Sequence, residues 1–192
     1  MVVDANQAWN FAYVLPRLNE DKEIQLVIPN ALQMGWSESP PFFCVATETA
    51  RDIADQNFTN RKDVGPQEQE DVIMNIDWST IPKDVLENTE MKTLHLLEVY
   101  IDDFLGMIQT TDEKELRRFT RNILDGITNV FPPQSVTNSH MGPPISSKKL
   151  QAEGPWETRK EILGWILDGI ARTIQLPEDK CDKLIAQLKA LS

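Results

Sequence analysis

Apolar and polar positions change their period several times along the chain, and the changes mark its elements. WNFAYVLPRL (9–18) and EIQLVIPNAL (23–32) are short apolar runs rich in strand formers, and the polar cluster NEDK between them predicts a hairpin or two neighbouring strands. In SESPPFFCVATETARDIADQ, Phe43, Ala46, Ala50, Ile53 and Ala54 recur at helical spacing. Ser39 as a cap, with Pro40 and Pro41 in the first turn, puts the start of that helix near Pro40. TLHLLEVYI and FLGMIQ are strand-like runs on either side of Asp102 and Asp103, which predicts a hairpin with both aspartates at its tip. TTDEKELRRFTRNILDGI opens with Asp112 followed three residues later by Glu115, a capping-box pattern, and sets Leu116, Phe119, Ile123 and Ile127 on one helical face. KEILGWIL, Asp168-Gly169 and IARTIQL predict a second hairpin closed by Asp-Gly as a two-residue turn. PEDKCDKLIAQLKALS (177–192) then places Cys181, Leu184, Ile185, Leu188 and Leu191 on one stripe of an amphipathic helix.

Residues 56–92 break the pattern. They are polar, acidic and weakly periodic, which predicts a long excursion with short structured pieces and no share in the core. The remaining order is strand, strand, helix, excursion, hairpin, helix, hairpin, helix. It predicts an α+β domain, an antiparallel sheet with helices packed on one face.

Composition sharpens this only in places. With 192 residues and 41% hydrophobic content, the chain is long enough for one substantial core. No apolar run approaches the roughly 18 residues of a membrane span, and MVVDANQAWN has no signal-peptide pattern, so the expected location is intracellular, cytoplasmic or nuclear, with no membrane partner. Cys44 and Cys181 have no metal-ligand spacing and are expected to be small core residues. The net charge of -11 opposes unaided binding to nucleic acid, which depends on Lys and Arg displacing counterions. Arg117, Arg118 and Arg121 are expected on a solvated helix face, and Lys148 and Lys149 in a loop. His95 is expected to pack within its strand, and His140 lies in a Pro-rich loop.

The chemistry of the chain concentrates at LEVYIDDFLG (97–106). Two adjacent carboxylates repel each other, and burying either without a partner costs several kcal/mol or raises its pKa. Either a turn lifts them into water or a cation sits on them.

Three segments in this order, QMGWSESPPFF (33–43), VYIDDFLG (99–106) and KKLQAEGPWETRKEILGWILDG (148–169), resemble the palm region of retroelement reverse transcriptases, the polymerases of LTR retrotransposons and retroviruses. The Tyr-x-Asp-Asp signature appears as Tyr100-Ile101-Asp102-Asp103, preceded by a Gly-Trp-x-x-Ser-Pro segment and followed by a Leu-Gly-Trp hairpin. The resemblance implies a palm-like sheet over residues 1–176, with 56–92 as an insertion and 177–192 as the start of a thumb or connection. It implies nucleotidyl transfer with two Mg²⁺ ions about 4 Å apart, held by hard oxygen ligands. By that resemblance the metal and catalytic roles fall to Asp102 and Asp103, and that of the proton donor to departing pyrophosphate to Lys149. It likewise implies that Gln33, Met34, Gly35 and Tyr100 border the nucleotide and that Leu163, Gly164 and Trp165 form the primer grip. The partners implied are an RNA or DNA template-primer, a deoxynucleoside triphosphate and the remainder of a polyprotein. Read from the residues alone, the aspartates also suit a tight turn, Lys148 and Lys149 plain surface, and Trp165 the core of its hairpin.

The family places a further essential carboxylate before the Gly-Trp segment, in an Asp-x-x-x-Gly-Phe or Asp-x-x-x-Ala-Phe context. MVVDANQAWNFAYVLP resembles the family's stretch just after that motif; Asp4 lacks the aromatic, and Asp77 comes after the Gly-Trp segment. A single turn holds Mg²⁺ poorly, so the chain reads as a fragment with weak or absent Mg²⁺ binding, inactive alone and marginally stable. Two other readings stay open. One is a non-catalytic acidic interaction module on a decayed polymerase scaffold, and the other is an unrelated metal-binding or hydrolytic domain that uses Asp102 and Asp103.

Overall fold

A computed structural model describes residues 6, 8–14, 26–28, 39–81, 93–132 and 143–191. Gln33, Met34, Gly35 and His140 lie outside the described residues, as do Asp4 and residues 82–92.

The first two apolar runs contribute a 3₁₀ turn (Ala8–Phe11) and an antiparallel pair, β1 (Tyr13–Val14) and β2 (Leu26–Val27). Helix α1 (Ser39–Thr59) begins with its prolines in the first turn, as expected, and buries Thr47, Ala50, Ala54 and Phe58. It then reverses through Arg61 at φ 55, where Lys62 N donates to Asn57 O and Arg61 N to Phe58 O. That is a Schellman-type ending with arginine in the position that glycine usually takes.

The predicted central hairpin forms as β3 (Leu94–Tyr100) and β4 (Asp103–Gln109), paired antiparallel from Leu94↔Gln109 to Tyr100↔Asp103. Strand alternation sends Leu97, Phe104 and Ile108 to one face, where they meet Ala54 and Phe58 of α1 and Phe119 and Ile123 of α3 (Glu113–Val130). Trp156 closes this cluster. Leu94, Leu96, Tyr100 and Met107 remain exposed, so helices cover one face of the hairpin. His95 packs as expected, edge-on against the rings of Phe58 and Phe119, and its Nε2 lies 2.9 Å from an Asp55 oxygen.

Helices α1 and α3 approach closely because small residues meet at their crossing. A Cβ on Gly126 would lie 2.5 Å from the Ala50 carbonyl oxygen and 2.8 Å from Ala54 Cβ. Asp112 caps α3 by accepting from Lys114 N at 2.8 Å. The reciprocal half of the expected capping box gives way, because the Glu115 carboxylate is taken by Arg118 at 2.7 and 3.0 Å.

The acidic excursion does share in the core, contrary to the sequence expectation. Its first residues belong to α1, and Val64, Ile73 and Met74 are buried alongside a short helix, α2 (Glu70–Ile73). Glu70, only 3% exposed, is gripped by Arg121 at 2.7 and 3.0 Å and by Arg117 at 2.6 Å. Arg118 lies 3.8 Å over the Phe58 ring and donates to Phe58 O. The three arginines therefore tie the excursion and α1 to α3 instead of forming a solvated face. Helical periodicity could not show this, since the partners in the excursion and α1 come from 46 to 60 positions away.

After α4 (Ser147–Glu153), the last strands form a three-stranded antiparallel meander: β5 (Arg159–Ile162), β6 (Trp165–Asp168) and β7 (Thr173–Gln175). The two-residue turn falls at Leu163-Gly164, both at positive φ, and not at Asp168-Gly169. The Asp168 carboxylate accepts from Ile170 N and Ala171 N, which organises Gly169 to Arg172 as a four-residue loop ending in Arg172 at φ 57. The described residues thus hold three small antiparallel sheets with helices, a mixed α and β fold, where the sequence pattern suggested one sheet. Helix α5 (Glu178–Leu191) leaves Leu184, Ile185, Leu188 and Leu191 exposed. Cys44 and Cys181 are half-buried free thiols and not core residues.

Candidate functional site

Pairing of Tyr100 with Asp103 leaves Ile101 and Asp102 as the two residues of the β3–β4 turn. Asp102 is therefore at the tip, and Asp103 is the first residue of β4, one step back from the place the sequence suggests. Ile101 sits at φ 58, a region that disfavours β-branched residues. Its carbonyl accepts a 2.7 Å hydrogen bond from the hydroxyl of Thr47, buried on α1. Asp102 is exposed and Asp103 half-buried.

The cation on this acidic turn is Lys149. Ser146 caps α4, its Oγ accepting from Lys149 N at 3.3 Å, and the Lys149 ammonium forms an ion pair with an Asp103 carboxylate oxygen. The hydrogen bond that Lys149 donates to Asp103 pushes Lys149 above the usual lysine value; partial burial opposes the rise, and the charges of Asp103, Asp102 and Glu153 add to it. Lys149 is protonated at neutral pH, and the question raised by the aspartate pair has both answers: a turn lifts the charges and a cation meets them. Lys148 is exposed.

The other sequence-predicted residues divide. Tyr100 is 57% exposed beside the turn. Leu163 lines the same open groove, about 1620 Å³, as Asp102, Asp103 and Lys149. The Gly164 carbonyl is 3.1 Å from Lys180 Nζ, which also binds Glu161 at 2.8 Å. Trp165 is 47% exposed, so it is not the core residue that its hairpin position allowed. Lys160 also faces the groove; burial pushes its ammonium below the usual value against the raising charges of Glu157 and Glu153, and it donates to Pro155 O at 2.7 Å.

Mg²⁺ is commonly held by one or two carboxylates that share it with substrate phosphates and water. Asp102 at the turn and Asp103 at the start of β4 are carboxylates suited to one such ion, and the Lys149 ammonium already meets Asp103. Among the described residues, no group of three or more His, Cys, Asp or Glu is placed to hold a metal. Sequence reasoning missed Thr47. Its signal was a polar residue on the stripe of Phe43, Ala50 and Ala54, where an apolar one was expected. Among the described residues, no helix is long and apolar enough to cross a membrane. No family model matches the chain, and no curated protein or solved structure matches it.

Proposed function

We propose that the chain is the palm portion of a retroelement reverse transcriptase, which in the intact protein extends a primer with deoxynucleoside triphosphates on an RNA template. The observation that carries this reading is convergence. One of the segments that resemble the family, 148–169, meets the aspartate turn through the ion pair of Lys149 with Asp103, and the helix that begins in another, 33–43, meets it through Thr47, four residues beyond that segment. Mg²⁺, when bound by Asp102 and Asp103, supplies a Lewis acid that neutralises phosphate charge. Asp103 positions Lys149, whose Nζ holds a proton beside the turn. Exposed Leu163 and Trp165, on either side of Gly164, offer an apolar and an aromatic face to a primer end. Transfer by two metal ions needs carboxylates from a second element as well, so the chain by itself is inactive in this proposal.

Titration of Mn²⁺ in the presence of a deoxynucleoside triphosphate, followed by water-proton relaxation, tests the reading. Asp102→Asn is expected to weaken Mn²⁺ binding about tenfold, the loss of one charged ligand interaction. Equal binding by both proteins would sink the polymerase reading. Primer extension on an RNA template with Mg²⁺ tests the inactivity: extension abolished by Asp102→Asn would keep the family assignment and overturn that part of the proposal.

A second reading rests on charge distribution. Residues 39–81 carry eight carboxylates against three basic residues, with Glu48, Asp52, Asp63, Glu68 and Asp71 exposed. An acidic surface of this kind suits a basic protein partner, with binding that falls as salt rises.

A further inference from the structure

Thr47 is 1% exposed on α1, and its hydroxyl has one proton to donate. Three carbonyl oxygens are within reach: Phe43 O at 3.3 Å, Cys44 O at 3.2 Å and Ile101 O at 2.7 Å. The first two lie in the same helix, where the backbone ladder already uses such acceptors. The shortest contact instead ties α1 to the acidic turn, 54 positions away. It falls on the residue whose conformation most needs a tie, since Ile101 at φ 58 is β-branched, and such a conformation persists only where its surroundings hold it.

We propose that Thr47 is a positioning residue, whose hydroxyl holds the Ile101 carbonyl and keeps the Ile101-Asp102 turn in the conformation that presents the two carboxylates together. The inference rests on the reading of Asp102 and Asp103 as cation ligands. Thr47 itself touches neither carboxylate in this role; it acts through the backbone of Ile101. Ile101 is partly exposed, so water can satisfy its carbonyl when the hydroxyl is removed. The turn is then free to relax to negative φ and separate the carboxylates.

Thr47→Val keeps the shape and apolar burial of the site, Thr47→Ala is a second variant without the hydroxyl, and Thr47→Ser keeps the hydroxyl. Two measurements on the full chain are made for each: Mn²⁺ affinity by proton relaxation, and the Ile101 ¹³Cα and ¹³Cβ chemical shifts, which report its φ. The Val and Ala variants are expected to bind Mn²⁺ about three- to tenfold more weakly, the worth of one hydrogen bond, and to move the Ile101 shifts toward negative φ. The Ser variant is expected to match the unsubstituted chain in both, and melting temperature is expected to separate Val from Ser by only a few degrees. Unchanged Ile101 shifts together with unchanged Mn²⁺ affinity in the Val variant would overturn the proposal, as would a Ser variant that behaves like Val. If the unsubstituted chain bound no Mn²⁺, the reading of Asp102 and Asp103 as its cation ligands would fall, and Ile101 shifts unmoved by Val and Ala would still overturn the tie between Thr47 and the turn.

Discussion

Arg61, Ile101, Leu163 and Arg172 all sit at positive φ, and each closes a turn that glycine or asparagine would close with less strain. Arg61 ends α1, Ile101 opens the acidic turn, Leu163 precedes Gly164, and Arg172 finishes the loop after β6. Nothing in the type of these residues announces the conformation, which is why the meander turn was legible as a hairpin but misplaced. Asp168 recruits two amides and holds Gly169 in ordinary φ, while the chain reverses at the less expected Leu-Gly pair. At the same scale, the Lys149 ammonium occupies the position of a counter-ion to Asp103, so it competes with a divalent ion for that oxygen. Lys149→Met is therefore expected to tighten Mn²⁺ binding roughly two- to fivefold, as suits a half-exposed ion pair of modest worth. Relaxation titration checks this, and weaker binding by the Met variant would show that Lys149 supports the ion instead of opposing it.

Between elements, the contact that fixes the scaffold of the site is the crossing of α1 and α3. Both helices were legible from their apolar spacing, and so was the hairpin against which they pack. Their closeness was not, because Ala50, Ala54 and Gly126 are separated by about 70 positions and only their meeting makes them a set. Gly126→Ala gains about 1 kcal/mol of helix propensity. It also drives a methyl into the Ala50 carbonyl and the Ala54 backbone, which cannot yield as a flexible side chain would. Overpacking of this kind costs typically 1–3 kcal/mol, and a methyl 2.5 Å from a backbone carbonyl oxygen belongs at the upper end, so after the propensity gain the variant is expected to be less stable by roughly 1–2 kcal/mol in urea unfolding. Gly65→Ala, where nothing lies within 4 Å, is expected to change stability by less than about 0.5 kcal/mol. A Gly126 variant as stable as the Gly65 control would mean that the helices are not locked at this crossing.

For the whole molecule, the ion cluster at Glu70 decides how the acidic excursion relates to the core and how the fold responds to acid. Burial pushes the Glu70 carboxyl up, but hydrogen bonds from Arg121 and Arg117 outweigh it and hold the group at about 2, against 4.5 unperturbed. The hydrogen bond from Arg118 holds Glu115 below the usual range in the same way. Because the folded value is the lower one, the contribution is complete above about pH 5 and is lost as the pH falls toward 2. For Glu70 this amounts to about 3 kcal/mol. Denaturant unfolding from pH 7 to pH 3 is expected to show the loss, and Glu70→Gln should lower stability at pH 7 while flattening the acid limb. An acid limb as steep in the Gln variant as in the unsubstituted chain would place the sensitivity elsewhere.

Period and turn chemistry, which act over a few residues, were enough for the sequence alone to determine α1, the β3–β4 hairpin with an aspartate at its tip, α3, a strand-turn-strand unit after Lys149, and the final amphipathic helix. Only the tertiary structure decided the pairings between distant residues: Lys149 on Asp103, Thr47 on Ile101, and Arg117 and Arg121 on Glu70. A charge or hydroxyl carries no mark of its partner along the chain. Packing alone brings the two together, and burial then makes leaving either unpaired costly.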